Sequence, residues 1–176
     1  AAHVCEDSGL KAFLSSSPGT EIVSKQFHVI NIDKERYNFI ALKYDMSIDV
    51  CVGYVYSLRK PAVTVSRHRP EPGDVVYNLA APIGIFNENA IPIMDGYYIG
   101  ISDGIAQYSV PAAGGSSGSP LFNSRGELIG LIHSVYIRFP FITLSPTYNQ
   151  LIGFIHAHAD KDNSFSEKLL QKYLEF

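Results

Sequence analysis

The chain has 176 residues, of which 46% are hydrophobic and 18% charged, with a formal net charge of −3. That length and apolar content can bury a core, as one compact unit or as two small barrels sharing an interface. A mildly acidic balance without a basic run argues against nucleic acid as the main partner, and no apolar stretch approaches the ~20 residues of a membrane-spanning helix.

Val, Ile, Tyr, Phe and Thr recur along the chain, and Gly and Pro punctuate it at short intervals, which predicts an all-β protein. After the opening Ala1-Ala2-His3-Val4-Cys5, the runs 21–32 and 35–44 predict two strands joined at Asn31-Ile32-Asp33-Lys34. A third strand is expected over 47–52. Residues 57–72 carry Arg59, Lys60, Arg67 and Arg69 with three prolines, and read as an exposed linker. Strands are then expected over 74–79, 97–102, 105–109, 121–122, 127–135 and 138–144. Ser145-Pro146 is a helix start, with Ser capping and Pro at the first helical position. Leu151, Ile152 and Ile155 supply the apolar face of that helix. A second helix is expected from Ser164 or Ser166, carrying Leu169, Leu170, Tyr173 and Leu174. The expected division is a first, partial unit over 1–56, a linker over 57–72, a second unit over 73–145 and C-terminal helices over 146–176.

The run Gly114-Gly115-Ser116-Ser117-Gly118-Ser119-Pro120 carries the chemistry. Glycines allow a tight turn that exposes a serine and aims successive backbone N–H groups at one point, as a nucleophile and an oxyanion hole require. Two nucleophiles fit. Gly114 to Gly118 satisfies G-x-S-x-G, with Ser116 attacking, but that elbow must open a helix. Here Pro120 and the β-like Leu121-Phe122 follow. Gly115 to Pro120 reads instead as G-x-S-G-x-P, with Ser117 attacking.

That second pattern resembles the signature of chymotrypsin-like (trypsin-fold) serine peptidases. Ala1-Ala2-His3 resembles the block around their catalytic histidine. Tyr44-Asp45-Met46-Ser47-Ile48-Asp49-Val50 resembles the block around their catalytic aspartate, where an Asp begins a short buried strand with a small residue two places on. The order His3, Asp45, Ser117 is the chymotrypsin order, and each gap can hold several strands. Asp49, four residues after Asp45, is its nearest rival. Pro72-Gly73-Asp74-Val75-Val76-Tyr77 and Pro82-Ile83-Gly84 look like the start of the second barrel in the bacterial HtrA-like and glutamyl-endopeptidase-like branches.

The resemblance implies two antiparallel β-barrels, the first incomplete because the strands that usually precede the histidine are missing, so the chain reads as N-terminally truncated. It implies a serine endopeptidase acting on proteins or peptides without cofactor or metal, and it favours a secreted or periplasmic setting. His3, Asp45 and Ser117 would be catalytic, and the Gly115 and Ser117 N–H groups would form the oxyanion hole. Pro111 would floor the primary pocket. Val135 would narrow it and Ile142 would face it, favouring small aliphatic residues. His133 would reach that pocket after a one-residue register shift. Otherwise strand alternation points it away, toward the place where the family's buried serine supports the aspartate.

Three departures bear on this. Ser116 stands where vertebrate trypsins carry an aspartate that pairs with a new N-terminus, an ion pair serine cannot form. Ser119 replaces the second glycine, as in glutamyl endopeptidases. Cys5 lies two residues after the histidine, where the family's usual cysteine lies one after, and either pairs with Cys51 or remains a thiol. A non-catalytic module of the same fold that binds polypeptide is the alternative, with an α/β-hydrolase esterase a weaker competitor. His156-Ala157-His158-Ala159-Asp160 has a metal-site look, but at a helix end its side chains diverge.

Overall fold

The computed structural model describes residues 1–6, 27–55, 57–87 and 89–158. Short alternating runs separated by turns fold here into two antiparallel sheets. The first contains β1 (Phe27–Ile30), β2 (Arg36–Asp45) and β3 (Val50–Val55), in that order. The expected turn at Asn31–Lys34 closes β1 onto β2. Asn31 accepts from Lys34 N–H and donates its own N–H to the Glu35 carbonyl, both at 3.0 Å.

The second sheet holds β4 (Val75–Leu79), β5 (Ile93–Ser102), β6 (Ile105–Tyr108), β7 (Pro120–Asn123), β8 (Leu128–Leu131), β9 (Ser134–Tyr136) and β10 (Phe139–Pro146). Their order is β8-β7-β4-β5-β6-β10-β9. β8 and β9 are consecutive in the chain yet stand at opposite ends of that order, so the sheet curls back on itself. Val76, Tyr98, Tyr108, Val110, Leu121, Ile129 and Ile132 fill its interior. This mostly-β arrangement is the trypsin-like one anticipated from the residues.

Two helices complete the described structure, α1 (Ala2–Glu6) and α2 (Tyr148–His158). Helix α2 buries Leu151 and Phe154 against Val50, with Ile48, Val52, Leu131 and Ile155 packed alongside. It therefore seals β3 of the first sheet against β8 of the second. The expected second C-terminal helix and the beginning of the 21–32 strand lie outside the described residues.

Several boundaries differ from expectation for local reasons. The third strand begins at Val50, not 47, because the Asp45 carboxylate accepts from both the N–H and the hydroxyl of Ser47, at 2.8 and 2.6 Å. That side-chain turn ends β2 and delays the next strand. The expected strand 127–135 breaks at Ile132, whose backbone leaves the ladder. Ile132 N–H donates to Ser119 O at 2.9 Å and its carbonyl accepts from Gly118 N–H at 2.7 Å. The stretch 57–72 is not merely exposed. Ser66 is buried, its N–H donates to Leu128 O, and its carbonyl accepts from Tyr148 Oη at 2.6 Å.

Candidate functional site

The Ser117 loop connects Tyr108 at the end of β6 with Pro120 at the start of β7. Gly115 and Gly118 both take positive φ, +94° and +89°. Side chains rarely adopt that conformation, and at Gly115 an added Cβ would also stand 2.8 Å from Ala81 O. Between these glycines the two serines diverge. Ser116 is 1% exposed and turned inward, its hydroxyl accepting from Ala113 N–H at 3.3 Å. Ser117 is half-buried and lines a groove of about 430 Å³. The all-β setting and this inward turn leave no place for the G-x-S-x-G elbow with Ser116 attacking.

A second loop braces this one. Ile83 N–H donates to Gly114 O at 2.6 Å. Because a trans peptide plane directs its C=O and N–H oppositely, this bond turns the Gly115 N–H away from Ile83. Ile83 itself sits at φ 55° within the 3₁₀ turn Pro82–Gly84. A β-branched residue in the left-handed region is an outlier of the kind that clusters at functional sites.

His3 lies on α1 and is held by a carboxylate other than the expected one. Asp49 Oδ2 is 2.6 Å from His3 Nδ1, and Asp49 Oδ1 accepts the His3 backbone N–H at 2.8 Å. Ala2 N–H donates to the Asp49 carbonyl at 3.0 Å. Asp45, the residue expected in this place, is turned to Ser47 and does not face His3. Its carboxyl is held below the usual carboxylate range chiefly by the Ser47 hydroxyl and N–H. Asp45 ends one strand, whereas Asp49 immediately precedes the next. The sequence signal was therefore present four residues on, where Asp49-Val50-Cys51 also puts a small residue two places after an Asp that opens a buried strand.

A disulfide joins Cys5 on α1 to Cys51 on β3, so the helix bearing His3 and the strand following Asp49 are covalently tied. The Ser117 loop abuts the same corner. The Ala1 nitrogen lies 3.0 Å from where a Cβ on Gly118 would stand.

His133 follows Ile132 in the break between β8 and β9. It is half-buried, its Nδ1 is 2.9 Å from Ser134 Oγ, and its N–H donates to Leu144 O. Burial lowers its pKa, Asp49 opposes that shift, and His3 adds to it. The charges of Asp49 and His3 thus reach this ring. Pro111, Val135 and Ile142 are each half-buried. Val135 pairs with Thr143, beside Ile142, and packs against the barrel interior. His156 and His158 close α2, where His158 meets the Phe154 ring at 4.8 Å between centroids. A separate depression lined by His68, Arg69, Glu71, Asp74 and Arg125 contains none of the expected site residues.

With this geometry in view, residues 1–131 match the trypsin-like peptidase domain, and the chain belongs to that family. The same backbone recurs in the serine endoprotease from Yersinia pestis, with a TM-score of 0.67 at 18% identity, over 77% of this chain and 49% of that one. It recurs also in an inactive serine-to-alanine mutant of Rv3671c from M. tuberculosis H37Rv, with a TM-score of 0.59 at 16% identity, over 73% of this chain and 68% of that one. At such identities the likeness concerns the fold, and this chain spans about half the length of the Yersinia protein. A search of curated protein sequences finds none similar to it.

Proposed function

We propose that the chain is the peptidase unit of a serine endopeptidase, with Ser117 as nucleophile, His3 as general base and Asp49 as the group that orients His3. The observation that carries this reading is the two-point hold of Asp49 on His3. A carboxylate on Nδ1 selects the tautomer that carries its proton there and makes Nε2 the proton acceptor, and it stabilises the imidazolium that forms. Ser117 is a weak nucleophile until such a base removes its proton. Attack on a peptide carbonyl forms the Oγ–C bond and a tetrahedral oxyanion. Collapse breaks the C–N bond, His3 returns the proton to the leaving amine, and water then hydrolyses the acyl ester. The Gly115 and Ser117 N–H groups are the candidate oxyanion donors, each worth roughly 3–4 kcal/mol of barrier.

The acyl side of the substrate would lie along β9, which ends the sheet order and so offers an edge for an added strand. Pro111, Val135 and Ile142 would give a shallow apolar primary pocket. None of these three residues is a carboxylate that could meet a substrate Lys or Arg, so a buried cation would go unpaired among them. Small aliphatic residues such as Ala or Val would suit it. His133, whose Nδ1 lies 2.9 Å from Ser134 Oγ, is left out of this pocket.

Active-site labelling with a fluorophosphonate, read by peptide mass, tests the reading. One adduct on Ser117, lost in Ser117→Ala, is the expected result. A protein that takes no label while binding unfolded polypeptide would be the non-catalytic module of the same fold.

A further inference from the structure

We infer that the groove beside Ser117 is a leaving-side subsite that selects a large aliphatic or aromatic residue immediately after the cut bond. This rests on the proposed peptidase reading. The groove runs between the Ser117 loop and the loop joining β4 to β5. Leu79, Ala81, Phe86 and Ile91 form one wall, and Gly115 and Ser117 belong to the other. Among the described residues its lining contains no charged side chain.

The direction of the chain assigns this groove. A peptide whose carbonyl sits at Ser117 extends both ways from it. Its acyl side is taken by β9 and the primary pocket, and none of Pro111, Val135 or Ile142 lines the groove. The groove is left for the residues that depart with the amine. Phe86 and Ile91 are 42% and 38% exposed, large apolar side chains held at the rim of one hollow. They are held by construction. Asn87 and Ala90 exchange both backbone hydrogen bonds at 3.1 Å, so their outer neighbours Phe86 and Ile91 are set side by side at the base of a tight turn. The Ile83–Gly114 bond ties the same loop to the peptide that presents the Gly115 N–H. An apolar side chain filling the groove would remove both rims from water next to the scissile bond. Selectivity would then reside more on the leaving side than in the shallow primary pocket.

Acyl transfer isolates this subsite. An ester with a small acyl residue forms the Ser117 acyl-enzyme. An added amino-acid amide then attacks the ester carbonyl, forming a C–N bond and releasing Ser117 Oγ, which recovers its proton through His3. Leucinamide and phenylalaninamide are expected to outcompete glycinamide by at least about tenfold, the scale set by one or two buried methylenes. In Phe86→Ser/Ile91→Ser the ratio should fall toward unity. Comparing two acceptors in one variant cancels any change in deacylation. Equal partitioning of the three amides in the native protein would overturn the subsite while leaving the peptidase intact. Failure of Ser117 to acylate would overturn the peptidase reading, and the groove is then read by NMR titration of a Leu-Ala-Ala peptide. Amide shifts gathered at Ala81, Phe86, Ile91 and Gly115 would support it as an apolar binding site, and their absence would remove it.

Discussion

Asp49 grips His3 at both ends of one residue: Oδ1 takes the backbone N–H at 2.8 Å and Oδ2 lies 2.6 Å from Nδ1 of the ring. The two bonds fix the position of the residue and the orientation of its ring together. A carboxamide at this position could keep the backbone bond but would favour the wrong tautomer. Asp49→Asn is therefore expected to lower kcat by about 10⁴ while leaving the fold intact. Asp45→Asn keeps an oxygen to accept from Ser47 and should leave kcat near its starting value. Steady-state kinetics and fluorophosphonate labelling rates on both variants check this. A larger loss in the Asp45 variant would return that residue to the site.

The same pair shows what could be read from the residues alone. The glycine turn around Ser117 and the β class were legible because each depends on local chemistry, on glycine, proline and strand alternation. The choice between Asp45 and Asp49 was not, since both have a small residue two places on. It is decided by the side-chain turn that Asp45 makes with Ser47, and by where β3 then begins. Helix α1 was hidden for a related reason. A five-residue helix has too few turns to show a period, and its place is set by the tertiary bonds to Asp49 and by the disulfide.

The Cys5–Cys51 bond closes a loop with a sequence separation of 46. Chain-entropy reasoning gives about 4 kcal/mol of stabilisation for a loop of that size. Cys5→Ala/Cys51→Ala should therefore unfold at distinctly lower urea. Its kcat should drop as well, because the helix bearing His3 then loses its covalent tie to β3. Urea unfolding of both proteins, each with and without reductant, is the measurement. Reductant should weaken the native protein toward the variant and leave the variant unchanged, and equal stability of the two would refute the role given to the bond.

Gly115 combines a φ of +94° with the close approach of Ala81 O. Gly115→Ala must shift this backbone, and the N–H it carries moves with it. Loss of one oxyanion donor is expected to cost about 10²–10³ in kcat. The His3–Asp49 pair, held by its own two bonds, should be unaffected. The two effects separate by experiment. The His3 ring signals in NMR should match the native protein, while acylation by an ester slows. Unchanged acylation would show that the Gly115 N–H is not a donor to the reacting oxygen.

His133 supplies a pH dependence whose sign follows from its surroundings. Burial is the larger influence and lowers its pKa from the ordinary 6.5, with His3 adding to that shift and Asp49 opposing it. The folded protein therefore keeps this ring neutral at a pH where the unfolded chain has begun to protonate it. The unfolded state then binds more protons, so stability falls as pH drops below about 6.5 and levels off once the folded-state pKa is passed. His133→Gln keeps a polar side chain of similar reach without a titrating group. Its stability should decline less than that of the native protein between about pH 7.5 and pH 5, the other histidines being common to both. Urea unfolding at a series of pH values gives the two curves. Curves that run parallel through that window would show that His133 titrates alike in the folded and unfolded chains, and that its burial has no energetic consequence.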